Sequence, residues 1–134
     1  MQTAIASAKY VFGKTVGLGF EQAVTRVTEE LAKEGFGVLT EIDVKATLKK
    51  KLGLDMPPYR ILGACNPQFA HKAIELEPQI GALLPCNVVV REEKGKTRID
   101  VMDPRAVLQL VERPEIEAIA TEVRKRLERV IASL

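Results

Sequence analysis

The chain has 134 residues, of which 46% are hydrophobic and 28% are charged, and its formal net charge is +2. This composition excludes a disordered chain and is typical of a globular protein that buries its own core. The small net charge and the scarcity of aromatic residues do not favour nucleic acid as a partner. No apolar run reaches the roughly 18 residues that span a bilayer.

The N-terminal segment does not have the pattern of a secretory signal peptide, because no basic start leads into a long apolar stretch. We therefore expect a cytoplasmic protein that is not inserted in a membrane. In that compartment the two cysteines, Cys65 and Cys86, are expected to be reduced thiols and not a structural disulfide.

The first half of the chain alternates strand and helix signals. Residues 3–16 carry the branched and aromatic residues of a strand, although alanines weaken the pattern. An apolar stripe at helical spacing predicts a helix over residues 20–34, which Gly35 ends. Alternation predicts a strand over residues 36–44, and residues 45–52 follow as a short basic helix.

In the second half, residues 59–65 form the third predicted strand, and Asn66 caps a helix that runs to about residue 77. Residues 80–85 are a connector, residues 86–102 are a hairpin of two strands, and residue 103 opens an irregular stretch. A long helix runs from residue 114 to about 133. The predicted fold is α+β, an antiparallel five-stranded sheet with helices on one face, and residues 1–134 are expected to be a single domain.

Two Cys-Asn pairs are the main candidates for a site. Cys65 ends one predicted strand and Cys86 begins the next, so antiparallel pairing brings both to one end of the sheet. Alternation predicts that the two thiols share a face, and the helix that begins after Asn66 favours a thiolate at Cys65. The predicted ligand-binding residues are Cys65, Asn66, Cys86 and Asn87, with the two cysteines as ligands if the site holds a soft metal.

Each of these residues also has a structural interpretation. Free cysteines are commonly buried as small core residues, and an asparagine often stabilises a turn or caps a helix. The single histidine, His71, is expected to be an exposed helical residue, since its spacing from the cysteines matches no standard metal motif. Glu41 and Asp43 are read as the solvated side of a strand more readily than as an acid–base pair. The same holds for the lysines of residues 45–51, for which phosphate binding is the alternative.

The face of the sheet that helices leave uncovered is predicted to mix apolar and charged residues, which is typical of a partner surface. A symmetric dimer is the simplest such partner. The residues assigned to this outer face are Leu39, Leu62, Ala64, Val89, Glu41, Arg60 and Arg91.

Two phrases in the sequence, Gly63-Ala64-Cys65-Asn66-Pro67 and Leu83-Leu84-Pro85-Cys86-Asn87, are specific enough to suggest a family. Together with residues 34–44, residues 59–62 and Asp103-Pro104, they resemble the domain-of-unknown-function family 302. The resemblance extends from the first helix to the last residue. It implies a fold like one repeat of the TATA-binding protein and a tendency to form homodimers, and it implies no activity.

Three functions are therefore compatible with the sequence. The first is a homodimeric protein that binds a small molecule or a soft metal near the two Cys-Asn pairs. The second is a thiol-dependent redox factor or enzyme in which Cys65 has the lower pKa. The third is an interaction protein without catalytic activity that uses the outer face of the sheet.

Overall fold

The structure is a computed structural model that describes residues 6–134. All strands belong to one antiparallel sheet, in the spatial order β1-β2-β6-β5-β4-β3. The strands are β1 (Ala6–Ser7), β2 (Val11–Val16), β3 (Gly37–Asp43), β4 (Tyr59–Cys65), β5 (Cys86–Glu93) and β6 (Lys96–Met102). The five predicted strands are confirmed. The first one, residues 3–16, is a hairpin of β1 and β2, and its residues 3–5 lie outside the described residues.

Five α-helices connect and cover these strands. They are α1 (Phe20–Lys33), α2 (Val44–Leu52), α3 (Pro67–Leu76), α4 (Pro104–Leu108) and α5 (Pro114–Ala132). The connector after α3 contains a 3₁₀ helix, Pro78–Leu83. The stretch predicted to be irregular after residue 103 is helical, because the Asp103 carboxylate accepts a bond from the Arg105 N–H and Pro104 starts the helix. Within residues 6–134, no helix has the length and apolarity to cross a membrane.

The core lies between one face of the sheet and the helices α1 and α5, and we call this the covered face. Each of the two helices presents an apolar stripe at helical spacing to the strands. Burial of each large aliphatic side chain stabilises the fold by about 1.5–3 kcal/mol. The buried apolar residues of the strands are Phe12, Leu62, Ala64, Cys86, Val88, Val90, Ile99 and Val101.

The prediction that Leu62, Ala64, Arg60 and Glu41 lie on the outer face is wrong. Leu62 and Ala64 are each 1% exposed, in the core. Arg60 is on the same side and donates two hydrogen bonds, of 2.9 and 3.0 Å, to the Glu21 carboxylate of α1. Glu41 pairs with Leu62 and so shares its face. β4 is apolar on both sides, and alternation alone therefore did not identify its buried side.

A β-bulge in the edge strand β3 is the second reason for this error. The register shifts between Val38 and Thr40, so Val38 pairs with Ala64 whereas Thr40 pairs with Gly63. The alternation that joined Val38 and Thr40 on one predicted face is therefore interrupted at Leu39, which is 68% exposed.

The opposite side, which we call the open face, carries Val89 and Arg91 as predicted. Strand register adds Val11, Gly13, Thr15, Thr40, Ile42, Tyr59, Ile61, Gly63, Asn87, Arg98, Asp100 and Met102 to this face.

An ion network occupies the middle of the open face. Arg91 and Arg98 are direct cross-strand neighbours, which would repel each other if left unpaired. Asp100 accepts a 3.0 Å bond from Arg98 Nε and a 3.4 Å bond from Arg91 Nη2. Its side chain is only 14% exposed. Gly13 faces Asp100 across β2 and β6, and its lack of a side chain lets the two strands approach closely.

The covered face buries the charged side chain of Lys14. Lys14 lies on β2 opposite Ile99 and is 1% exposed. Its Nζ atom has no hydrogen-bond partner among residues 6–134. Burial lowers the pKa of this ammonium group below its usual value, and the positive charge of Arg26 on α1 lowers that pKa further.

Candidate functional site

The two Cys-Asn pairs lie at the same end of the sheet, as predicted. Ala64 of β4 pairs with Cys86 of β5, so Cys65 and Cys86 are separated by one step along the ladder. The prediction that the thiols share a face is wrong, because alternation gives Cys86 the face of Ala64 and Cys65 the opposite one. Both cysteines nevertheless border one crevice, since the chain turns into α3 immediately after Cys65.

Asn66 makes this turn. Its side-chain oxygen accepts a 3.4 Å bond from the Phe69 N–H and caps α3, and Pro67 occupies the first helical position. Gly35 supports the cap, since a side chain there would come within 3.0 Å of the Asn66 amide nitrogen and 3.5 Å of Arg126 Nη1. The predicted cap is confirmed. The side-chain oxygen of Asn66 is therefore bonded to the backbone of α3.

The crevice lies where the end of the sheet meets α3, α4 and α5. Its walls are almost wholly apolar, and its space, including the mouth, is about 420 Å³, of which about 40 Å³ admits the centre of a water molecule. The walls therefore lie close together, and we call the narrow space between them the slot. The lining residues are Phe36, Ala64, Cys65, Asn66, Phe69, Ala70, Ala73, Leu84, Pro85, Cys86, Pro104, Leu108, Ile119 and Val123.

Both thiols in this crevice are in their neutral form at neutral pH. Burial raises the pKa of Cys86 from 9.0 to about 12, with a smaller contribution from Cys65. Burial also raises the pKa of Cys65. The prediction that the N-terminus of α3 lowers the pKa of Cys65 is wrong, because burial disfavours the thiolate and raises this pKa.

Asn87, the fourth predicted ligand residue, does not border the crevice. It is exposed on the open face, where it pairs with Gly63 of β4. Because β5 is regular at its start, Asn87 is on the opposite side of the sheet from Cys86. The structure thus brings Cys65, Asn66 and Cys86 together and separates Asn87 from them.

Two cysteines supply fewer ligands than a structural zinc site requires. His71 does not complete such a site, since its side chain is exposed and lies 3.5 Å from Glu75, one turn along α3. In the part of the chain that the structure describes, no three side chains of His, Cys, Asp or Glu come together as a metal site.

The other polar candidates have structural partners. Asp43 accepts a 2.9 Å bond from the Ala46 N–H and caps α2, and it lies 3.8 Å from Arg60. Glu41 is exposed at the edge strand. The lysines of α2 are exposed, and Lys49 is paired with Asp55 at 3.0 Å.

Sequence analysis did not identify the aromatic and helical walls of the crevice. Phe69 and Val123 are far apart in sequence, and no pattern in the sequence relates them to each other. A charged residue, Arg126, lies one helical turn beyond Val123 on α5, with its guanidinium 5.0 Å from the centre of the Phe69 ring. No pattern in the sequence associates Arg126 with the cysteines.

The chain is similar to a known protein family and to a solved structure of that family. The family model for Domain of unknown function DUF302 matches residues 12–134. The crystal structure of an uncharacterized conserved DUF302 protein from Bacillus stearothermophilus is similar to this chain, with a TM-score of 0.86 and 34% sequence identity. The similarity covers 93% of this chain and 98% of that one. No curated protein matches the chain.

Proposed function

Because the chain belongs to the DUF302 family, whose name assigns no function, we propose a function from the site itself: the protein binds a small apolar molecule in the crevice bordered by Cys65, Asn66 and Cys86. The observation that supports this proposal is the apolar slot at the end of the sheet. Ligand sites are commonly concave and apolar, with few polar groups.

The state of the thiols supports binding in preference to thiol chemistry. A nucleophilic or redox-active cysteine requires a thiolate, and burial disfavours that form at both Cys65 and Cys86. In their neutral form, both cysteines contribute soft, weakly polar surface to an apolar wall. A soft metal ion is also less supported than an organic ligand, because the crevice offers two cysteine sulfurs and no cluster of three ligands within residues 6–134.

Binding of the neutral probe decanol, followed by amide chemical shifts, tests this proposal. We expect saturable shifts at Phe69, Ala70 and Cys86. The variant Ala70→Phe fills the slot from α3 and should abolish these shifts. The matched control Ala46→Phe adds the same side chain to an exposed position of α2 and should bind as the parent protein does. Equal binding by both variants would reject the crevice as the site.

A second candidate function, self-association, is favoured by the apolar surface near β3. This strand is at an edge of the sheet, so one side of its backbone has no partner strand among residues 6–134. Exposed apolar side chains lie on it and after it, and such surfaces often bind a partner. They are Leu39, Ile42, Leu52 and Leu54. We propose that a second copy of the chain covers this surface in a two-fold symmetric dimer.

Sedimentation equilibrium measures this association directly. The parent protein should be a dimer, and Leu39→Glu should shift it to the monomer because a charge would be buried at the interface. Leu110→Glu changes an equally exposed leucine at a distant 3₁₀ turn and should leave the dimer intact. A monomeric parent protein, or a dimer that tolerates Leu39→Glu, would refute the proposed interface.

A further inference from the structure

The shape of the crevice restricts its ligand. Of about 420 Å³ that includes the open mouth, only about 40 Å³ admits the centre of a water molecule, so the walls of the slot lie close together. A thin chain of methylene groups fits such a slot, whereas a bulky branched group would have to push the walls apart. The aromatic side chains of Phe36 and Phe69 and the methyl groups of Ala70 and Ala73 provide the apolar contact that such a chain requires.

A positively charged side chain, Arg126, lies beside residues that line the slot. Ile119 and Val123 line the crevice, and Arg126 continues their stripe by one turn of α5. The Arg126 guanidinium lies over Phe69, which lines the slot, and approaches Gly35 beside the amide of Asn66. The N-terminus of α3 adds a partial positive charge on the same side.

Arg126 retains hydrogen-bonding capacity for a ligand. Its Nε donates a 3.1 Å bond to the Glu122 carboxylate, and its Nη1 donates a 3.2 Å bond to the Glu34 carbonyl. A guanidinium has more N–H groups than these two contacts use, and its planar fork matches a carboxylate. Glu122 is partly exposed, so an incoming anion can compete with it for Arg126.

We propose that the ligand is a single-chain amphiphile with a carboxylate head, of the medium-chain fatty acid class. Its hydrocarbon chain lies in the slot and its carboxylate binds Arg126. This inference rests on the proposed binding function and adds the charge and shape of the ligand to it. Arg126 is then a specificity-determining residue, which recognises the head group and has no part in holding the chain.

Calorimetric titration of decanoate and decanol, both below micelle-forming concentrations, tests the head-group assignment. The parent protein should bind decanoate roughly tenfold more tightly than decanol, since a charge-assisted hydrogen bond is worth about one order of magnitude. Arg126→Gln should remove this preference and leave the affinity for decanol within about twofold. Glu122→Gln keeps Arg126 and removes its competing carboxylate, so it should tighten binding of decanoate and leave decanol unchanged.

The carboxylate assignment and the proposed binding function are contradicted by different results. If decanol and decanoate bind equally and Arg126→Gln changes neither affinity, the carboxylate assignment is wrong and the apolar site stands. If neither compound binds, the proposed function is wrong as well. If Arg126→Gln weakens both compounds equally, Arg126 shapes the slot and does not recognise the head group, which also overturns the inference. Amide spectra of both variants distinguish these outcomes from unfolding.

Discussion

On the open face of the sheet, Asp100 lies between two arginines and all three side chains have charged partners, whereas on the covered face Lys14 is buried without one among the described residues. Both faces thus bury charge and both pair an arginine with a carboxylate, but Lys14 has no such partner among the described residues. The open-face network is built from neighbouring strands, where cross-strand pairs meet by register. On the covered face, the Glu21 and Glu30 carboxylates of α1 are bonded to Arg60 and Lys33, and Lys14 Nζ has no acceptor among residues 6–134. Within the same sheet, ion pairing therefore compensates one buried charge, whereas another has no partner among the described residues.

The largest expected effect is that of Gly13→Ala, which tests how the open face accommodates Asp100. A Cβ atom at residue 13 would lie 1.9 Å from the backbone oxygen of Ile99 and 2.7 Å from Asp100 Oδ1. Since a backbone atom cannot rotate away, β2 and β6 must separate. We expect a loss of about 3 kcal/mol in the free energy of unfolding, measured by denaturant titration.

Gly63→Ala is the matched comparison for that prediction. Its Cβ would lie 2.2 Å from Thr40 Oγ1 and 2.9 Å from Pro85 Cγ, which are side-chain atoms. Rotation of Thr40 can relieve part of this clash, so the loss should be smaller than for Gly13→Ala. Equal losses for the two variants would show that backbone contact does not determine the cost.

Replacing Lys14 by methionine should stabilise the protein, because it removes the uncompensated charge of the covered face and keeps a chain of similar length. We expect a gain of about 1–3 kcal/mol in the free energy of unfolding. Thermal and denaturant unfolding would both measure it. A loss of stability would mean that the ammonium group is solvated or paired in solution.

The pH dependence of Lys14→Met provides an independent check. The pKa of Lys14 is lowered from 10.5 in the folded protein, so the unfolded chain binds this proton more tightly. The stability of the parent protein should therefore gain from this group as the pH rises toward 10.5. Cys86 acts in the opposite direction, because its raised pKa of about 12 costs stability above pH 9.0. The difference between the parent protein and Lys14→Met isolates the lysine and should shrink with rising pH.

Asp100→Asn tests the compensated charge and should have a smaller effect of the opposite sign. The substitution removes the carboxylate shared by the cross-strand neighbours Arg91 and Arg98, and leaves Arg91 with Glu93 as its partner. We expect a loss of about 1–2 kcal/mol in the free energy of unfolding at low salt, and less at high salt because salt screens the repulsion. Glu93→Gln, at an exposed partner of Arg91, should change stability by less than about 0.5 kcal/mol.

Substitution of the two cysteines gives the smallest predicted changes in the free energy of unfolding. Cys86→Ala should cost about 1 kcal/mol in unfolding free energy, since it removes a buried side chain from the covered face. Cys65→Ala, at a partly exposed position, should cost about half as much or less.

Alkylation of the folded protein should modify Cys65 before Cys86 and should show no fast phase at neutral pH. Rapid alkylation of either thiol would contradict the raised pKa values and revive thiol chemistry as a function.

The sequence by itself determined the type and order of the main elements. Helix stripes, terminal glycines and the Asn66 cap are local signals, because the groups that satisfy a helix end lie within a few residues of it. The sequence also predicted that Cys65 and Cys86 lie at the same end of the sheet, because consecutive strands that pair antiparallel bring the end of one beside the start of the next. The family resemblance also came from sequence phrases.

Only the tertiary structure decided the faces of the strands and the extent of the site. β4 is apolar on both sides and β3 contains a bulge at Leu39, so alternation did not reveal which side the helices cover. The crevice joins residues from five elements, and the contact of Arg126 with Phe69 depends on how α5 packs against α3. The burial of Lys14 likewise depends on how the helices pack on the sheet. Long-range packing sets the solvent exposure of each residue, and exposure in turn sets the pKa values and the ligand chemistry of the site.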